Sequence, residues 1–303
     1  MLIICREREN TQMEKEDYRS DIYYGAESYP FIIYQDEKGH YKNGTIGWHW
    51  HNEVEFIYVL SGKVLCSVGG ESRLLEEGSG VFINQDILHR FMIYPNGKMY
   101  SVIFKPAFLA APRTSVYDDY VKPILESRLY FQFLNGNDPK QRSIISKIIE
   151  TGKAAGENSK LARLNTYIQA LELWRALYLL NVSDRVGKGE SGFLKTQKRT
   201  KQMICFIEHH YSESISVGEI AAAANISGTE ASRCFRELMK ISSLQYLNQF
   251  RLEKAMELLL TTDKSINEIA EETGFSSNTY FTRMFRRMYH CTPIEVRKTQ
   301  GIM

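Results

Sequence analysis

The chain has no CxxC pair: its five cysteines, Cys5, Cys66, Cys205, Cys234 and Cys291, are scattered and odd in number. That spacing argues against a disulfide framework and a cysteine zinc finger, and a reducing cytoplasm is the expected setting. No apolar run approaches the length of about 18 residues that a membrane span requires, so no membrane association is expected. The opening "MLIICREREN" lacks the long apolar core and small-residue cleavage site of a signal peptide. Strong charge of either sign is missing too, since 38 Lys and Arg stand against 36 Asp and Glu, a formal net charge of +2. Any nucleic-acid partner must therefore be argued from where the charges sit.

What is present is an ordinary soluble composition, 43% hydrophobic and 24% charged over 303 residues, enough for two domains with separate cores. Up to about residue 105 the chain reads as β. Short apolar runs, "FIIYQ", "VEFIYVL", "VFIN" and "MYSVIF", are separated by "SG", "GG" and "EEGSG", the punctuation of a barrel or sandwich. From about Pro123 the apolar spacing changes to three and four residues, as in "RSIISKIIETGK" and "LARLNTYIQALELWRALYLL", which reads as amphipathic helix. The glycine-rich "SDRVGKGESG" opens a linker expected over residues 183–198. The fold class is thus α+β and multidomain, with a β-barrel and helical segment over 1–182 and an all-α domain over 199–303.

The last hundred residues contain a repeat. "SVGEIAAAANISGTEASRCFREL" starts at Ser216 and "SINEIAEETGFSSNTYFTRMFRRM" at Ser265. Both open with Ser-x-x-Glu, the pattern in which serine and glutamate satisfy each other's orphan helix donors, and Ser227 with Glu230 offers a third copy. Asn225 and Gly274 fall between the paired helices and tolerate the left-handed backbone a tight turn needs. Each unit is a helix-turn-helix, and the connector "SLQYLNQFRLEKAMELLL" is a helix of about 27 Å that can set two recognition helices one turn of B-DNA apart. The second recognition helix carries Arg283, Arg286 and Arg287 with no acid from Ser276 to Met288. The first carries Arg233, Arg236 and Lys240, diluted by Glu230 and Glu237. One arginine on a solvated face means little; the set in repeat register points to double-stranded DNA.

Residues 200–299 resemble the AraC/XylS family of DNA-binding domains, through "EIA", "SRCF", "RLEKAMELL", "SINEIAEETGFSSNTYFTRMFRR" and "TPIEVR". The resemblance implies base-edge contacts at Thr229, Ser232 and Arg233 in the first motif, with Arg236 beside them. In the second motif it implies Asn278, Thr279, Thr282 and Arg283, with Arg286 beside them. The residue types suit those roles: arginine binds guanine bidentately, asparagine binds adenine, and threonine offers a hydroxyl and a methyl. Phe235 and Phe285 match buried positions. Lys240 and His290 stand where the family has glycine, Ser243 where it often has proline and Val296 where an aromatic is common. These departures are expected to alter the loop after each recognition helix.

In the β half, His49-x-His51-x3-Glu55-x6-Gly62 is similar to the first motif of the cupin family. A partial second motif has Gly78 and His89, with Asn84 and Asp86 where proline and glycine are usual. All four positions that bind metal in cupin enzymes carry ligand-type residues. Odd positions of one strand share a face, so His49, His51 and Glu55 can converge, with His89 arriving from a neighbour. Trp48 and Tyr58 add aromatic faces suited to a sugar-like ligand. The expected effector site is therefore Trp48, His49, His51, Glu55, Tyr58 and His89. No cofactor is required, and a divalent metal is left open.

The expectation is a cytoplasmic, effector-controlled DNA-binding transcription regulator, not an enzyme. Its effector is expected to be a carbohydrate in a cupin-like barrel, and its dimer to form through the helix over residues 161–182. The alternative is a cupin metalloenzyme, of isomerase or dioxygenase class, with an accessory helical domain. No convincing acid–base pair or nucleophile accompanies the histidines.

Overall fold

The strand β3 (Val54–Ser61) explains why the N-terminal half closes on itself: Val54, Glu55, Phe56, Ile57 and Val59 are all fully buried. A strand buried on both faces needs a layer on each side. In the computed structural model, which describes residues 29–41, 44–181 and 192–300, both layers are present. The chain divides into two compact bodies, Met1–Ser191 and Gly192–Met303.

The N-terminal body holds nine described strands: β1 (Phe31–Glu37), β2 (Thr45–His49), β3, β4 (Lys63–Val68), β5 (Glu71–Glu76), β6 (Ser79–Ile83), β7 (His89–Ile93), β8 (Lys98–Phe104) and β9 (Phe131–Asn135). They form two sheets, β1-β8-β3-β6-β9 and β2-β7-β4-β5, with antiparallel pairing throughout. A short helix α1 (Lys122–Leu125) precedes β9, and α2 (Pro139–Ala155) and α3 (Ala162–Asn181) follow it.

Period two sorts the side chains of the five-stranded sheet. Phe31, Ile33, Val54, Phe56, Phe82, Val102 and Phe104 form one cluster with Ile144 and Ile148 of α2 and Leu173, Trp174 and Leu177 of α3. Each large side chain buried there contributes about 1.5–3 kcal/mol. Ile32, Tyr34 and Ile103 form a separate cluster, and Glu55, Ile57 and Val59 alternate with the helix-facing residues of β3.

One segment departs from the sequence expectation. Residues after Pro123 were expected to be helical, but Phe131–Asn135 pairs with β6 as an edge strand. Its alternating Phe131, Phe133 and Asn135 carry a period of two that five residues state only weakly.

The C-terminal body contains α4 (Gly192–His210), α5 (Val217–Ala222), α6 (Gly228–Met239), α7 (Ser243–Thr261), α8 (Ile266–Glu272), α9 (Asn278–Tyr289) and α10 (Pro293–Gln300). The expected linker thus loses residues 192–198 to the first turns of α4, where Thr196 and Gln197 are buried; residues 183–191 lie outside the described residues. Ser216–Glu219 and Ser265–Glu268 form reciprocal capping boxes as expected, and Ser242–Gln245 adds one on α7. Ser227 with Glu230 forms only half a box. The serine accepts from the Glu230 amide, but the Glu230 carboxylate is turned to Arg199 and Arg233 instead.

The two turns are left-handed, at Asn225 (φ 53°) and Gly274 (φ 81°). A Cβ at Gly274 would lie 2.6 Å from the Tyr211 carbonyl oxygen and 2.9 Å from Arg251 Nε. Lys240 (φ 59°) and His290 (φ 60°) adopt the left-handed C-cap that glycine would supply, at a cost of about 1–2 kcal/mol each for a side chain in that region.

Candidate functional site

The histidine–carboxylate centre is assembled from two sheets. His49 ends β2 and lies opposite His89, the first residue of β7; Glu55 belongs to β3 in the other sheet. His51 sits in the link between β2 and β3. The expected single-strand face is therefore corrected: a β-bulge between Ile46 and His49 and the crossing at residues 50–53 bring the side chains together.

The four donor atoms lie within 4.8 Å of one another. His89 Nε2 is 3.0 Å and His51 Nε2 3.4 Å from Glu55 Oε2. All three imidazoles are held from behind by backbone carbonyls, His49 Nδ1 by Gly47 O at 2.8 Å, His51 Nδ1 by Glu53 O at 3.3 Å and His89 Nδ1 by Ile87 O at 2.7 Å. A carbonyl can only accept, so each Nδ1 is the side turned to its carbonyl and each Nε2 is turned to the centre, where those of His51 and His89 meet the Glu55 carboxylate. The Glu53 carboxylate adds a second support, 3.6 Å from His51 Nδ1.

Burial pushes the His89 imidazole down, favouring its neutral form, with Glu55 opposing the shift. Cys66 is pushed well up by burial and then by the Glu55 charge, so its thiol stays protonated. Imidazole nitrogens beside a buried carboxylate are the donor set of a divalent cation. These residues fit such an ion.

The aromatic members of the expected site are elsewhere. Tyr58 shares the face of Val54 and Phe56 and packs on the helix-covered cluster, because it is three residues from Glu55 and strand faces alternate. Trp48 receives the Arg90 guanidinium 5.3 Å from its ring, and Arg90, next to His89 in β7, points away from the centre by the same alternation. Neither ring flanks the histidines.

Where proline and glycine are usual, Asn84 and Asp86 do other work. Asn84 donates to the carbonyls of Ile124 and Leu129 at 3.2 and 3.0 Å. Asp86 takes φ 59°, and its amide donates to His51 O at 2.8 Å, fixing the link that carries His51.

In the C-terminal body, α9 presents Asn278, Thr279, Arg283, Arg286 and Arg287 to solvent, with Thr282 half-buried, while Phe281 and Phe285 fill the core. Asn278, Thr279, Thr282 and all three arginines line one open groove with Thr292. Arg283 lies over the Tyr280 ring at 5.3 Å, and Asn278 Nδ2 donates to Asn267 Oδ1 at 2.8 Å.

The first motif has a different electrostatic face. Thr229, Arg233 and Arg236 are exposed and Ser232 is half-buried, its hydroxyl donating to Gly228 O at 2.9 Å. Arg233 donates to Glu230 at 2.8 and 2.9 Å and to Glu237 at 2.5 Å. Glu230 also accepts from Arg199 at 2.6 Å. Arg233 first, and Arg199 after it, hold the Glu230 carboxyl below its usual range. The sequence showed both acids as dilution of charge; their grip on Arg233 follows from the i−3 and i+4 spacing that places them on its face.

The helix-turn-helix domain family matches residues 220–299 and the cupin domain family residues 40–98. An HTH-type transcriptional regulator of Bacillus subtilis (strain 168), YdeC, is 27% identical over 272 residues, 89% of this chain and 92% of the relative. An HTH-type transcriptional regulator of Staphylococcus aureus (strain COL) is 27% identical over 252 residues, and the alignment spans 31% of that longer protein. An AraC-type transcriptional regulator structure from Chromobacterium violaceum is 28% identical over 35% of this chain and 95% of its own, with a TM-score of 0.34.

The chain carries a helix-turn-helix domain and a cupin domain, and over most of its length it is similar to an HTH-type transcriptional regulator. It is a DNA-binding transcriptional regulator, and not one of the cupin enzymes whose ligand pattern it shares. No helix among the described residues is long and apolar enough to cross a membrane.

Proposed function

We propose that the chain acts in the cytoplasm as a homodimeric, sequence-specific regulator that answers to an occupant of the buried His49–His51–Glu55–His89 centre. The observation that carries the sensor half is the common orientation of three imidazoles, each with Nδ1 on a carbonyl and Nε2 turned inward. A divalent cation bound there would supply a positive pole for oxygen donors of a polar small molecule. A carbohydrate meets that description through its hydroxyls, without the aromatic platform that Trp48 and Tyr58 were expected to give it.

The DNA half rests on the open groove of α9, where six residues of suitable chemistry lie side by side. Thr229, Ser232, Arg233 and Arg236 in the first motif, with Asn278, Thr279, Thr282, Arg283 and Arg286 in the second, are the proposed contacts. Pairing of two chains rests on α3, whose inner residues fill the core while Leu164, Ile168 and Leu179, with the preceding Leu161, are 46–59% exposed. Exposed apolar side chains aligned along one helix face suit an interface with a second copy.

The test measures thermal unfolding and DNA affinity of the full-length chain with a divalent-metal panel, a sugar panel, and both together. An occupant at 100 times its Kd stabilises the folded chain by about 2.7 kcal/mol. Metal-induced stabilisation that His89→Ala removes, with a change in DNA affinity, is the expected result. Sugar binding that ignores metal and His89 would replace the cation by a different pocket. Absence of salt-sensitive DNA binding under every condition would overturn the proposal.

A further inference from the structure

Register exposes a difference at the centre of the two recognition helices. Arg233 and Arg283 occupy equivalent places fifty residues apart, and so do Glu230 and Tyr280, and Glu237 and Arg287. Where α9 puts an aromatic ring under its arginine, α6 puts a carboxylate on each side of it. The exposed face of α9 has three arginines and no acid; α6 sets half-buried Glu230 and exposed Glu237 against Arg233 and Arg236, with Lys240 at its C-cap.

We propose that Glu230 and Glu237 are specificity-determining residues of the first motif, clamping Arg233 so that this motif engages only sequences that offer base-edge contacts. The inference rests on the DNA-binding reading above and assigns the two motifs different tasks. Binding to random DNA is driven by phosphate neutralisation and release of counterions. A guanidinium already matched by two carboxylates releases few counterions, and the acids repel phosphates that approach it. Base-edge hydrogen bonds survive that neutralisation, since they depend on geometry and not on net charge. The clamp therefore removes more of the random than of the specific affinity, a use of repulsion to reject wrong partners. The α9 arginines supply the sequence-independent hold.

Glu237 is the better position to test, because its carboxylate bonds Arg233, whereas Glu230 also ties α6 to Arg199 of α4. The full-length chain, Glu237→Gln and the double variant Arg233→Ala/Glu237→Gln are compared on random duplexes of about 30 bp, roughly three helical turns. A duplex selected from a randomised pool serves as the specific site, and salt runs from about 50 to about 200 mM. Glu237→Gln is expected to tighten random-duplex binding about three- to tenfold at low salt and to steepen the log–log salt slope by about 1. The selected-to-random affinity ratio should fall, and Arg233→Ala/Glu237→Gln should lose the gain. Glu230→Gln should act in the same direction.

An unchanged Glu237→Gln on duplexes that the unsubstituted chain binds overturns the clamp and leaves the DNA reading intact. A gain that persists in the double variant also overturns it, since the acid would then act without Arg233. If the unsubstituted chain binds no duplex in a salt-sensitive way, both readings fall.

Discussion

Two helix-turn-helix motifs, alike in caps and register, solve the same local problems with different residues. The first turns on Asn225, the second on Gly274; the first holds its arginine with acids, the second with a ring. The turn difference follows from packing, because only Gly274 has the Tyr211 carbonyl and Arg251 against its missing side chain. The arginine difference is not a matter of core packing: Arg233 and Glu237 are exposed, and only Glu230 also reaches another helix, through Arg199. It is where selection of DNA sequence can act without disturbing either core.

Gly274→Ala should break that likeness most severely, costing about 2–4 kcal/mol from a left-handed alanine pressed on a carbonyl. Asn225→Gly should stay within about 0.5 kcal/mol by chemical denaturation.

The next effect concerns Glu208 of α4, buried beside the hydroxyl of Tyr246 of α7, whose ring meets Phe235 of the first motif. Burial pushes its carboxyl up to about 8. The folded state therefore holds a proton that the unfolded chain releases near pH 4.5, so stability falls as pH rises between those values. Glu208→Gln keeps an acceptor for Tyr246 and should flatten that decline. The gain is expected to be on the order of 2 kcal/mol above pH 8 and slight below pH 4.5, read from denaturation midpoints across pH.

Arg283→Ala should cost about 1–3 kcal/mol on a selected duplex and relax base preference at one position. Arg233→Ala should cost less than Arg283→Ala on random duplexes, because its charge is already matched. Equal losses for both variants on random DNA would erase the distinction between the motifs. The smallest effect is shared. Lys240→Gly and His290→Gly should each stabilise the chain by about 0.5–1 kcal/mol, by relieving a left-handed side chain.

Those features were not equally legible in the sequence. The helical motifs were read well because their signals are local: Ser216 and Glu219 lie three residues apart, and the structure closes the box between them. The four metal-type residues were legible as a spacing, though not as one strand face. Their meeting depends on a bulge before His49 and a crossing after it. Trp48 and Tyr58 failed for the same reason. A neighbour in sequence is on the opposite side of a strand, and the side that faces the centre is fixed by pairing partners far along the chain. The Glu230 side chain escaped because two uses competed for it, a helix cap and a pair of arginines, and Arg199 lies 31 residues away.

The most direct test of bipartite, unequal DNA reading is hydroxyl-radical footprinting of the full-length chain on a duplex selected from a randomised pool. The expected pattern is two protected patches per half-site, centred about 10 bp apart, one helical turn. Arg283→Ala should weaken one patch, and rising salt should erase both. A single patch, or two patches that ignore substitution of Arg283 and Arg233 alike, would contradict the account.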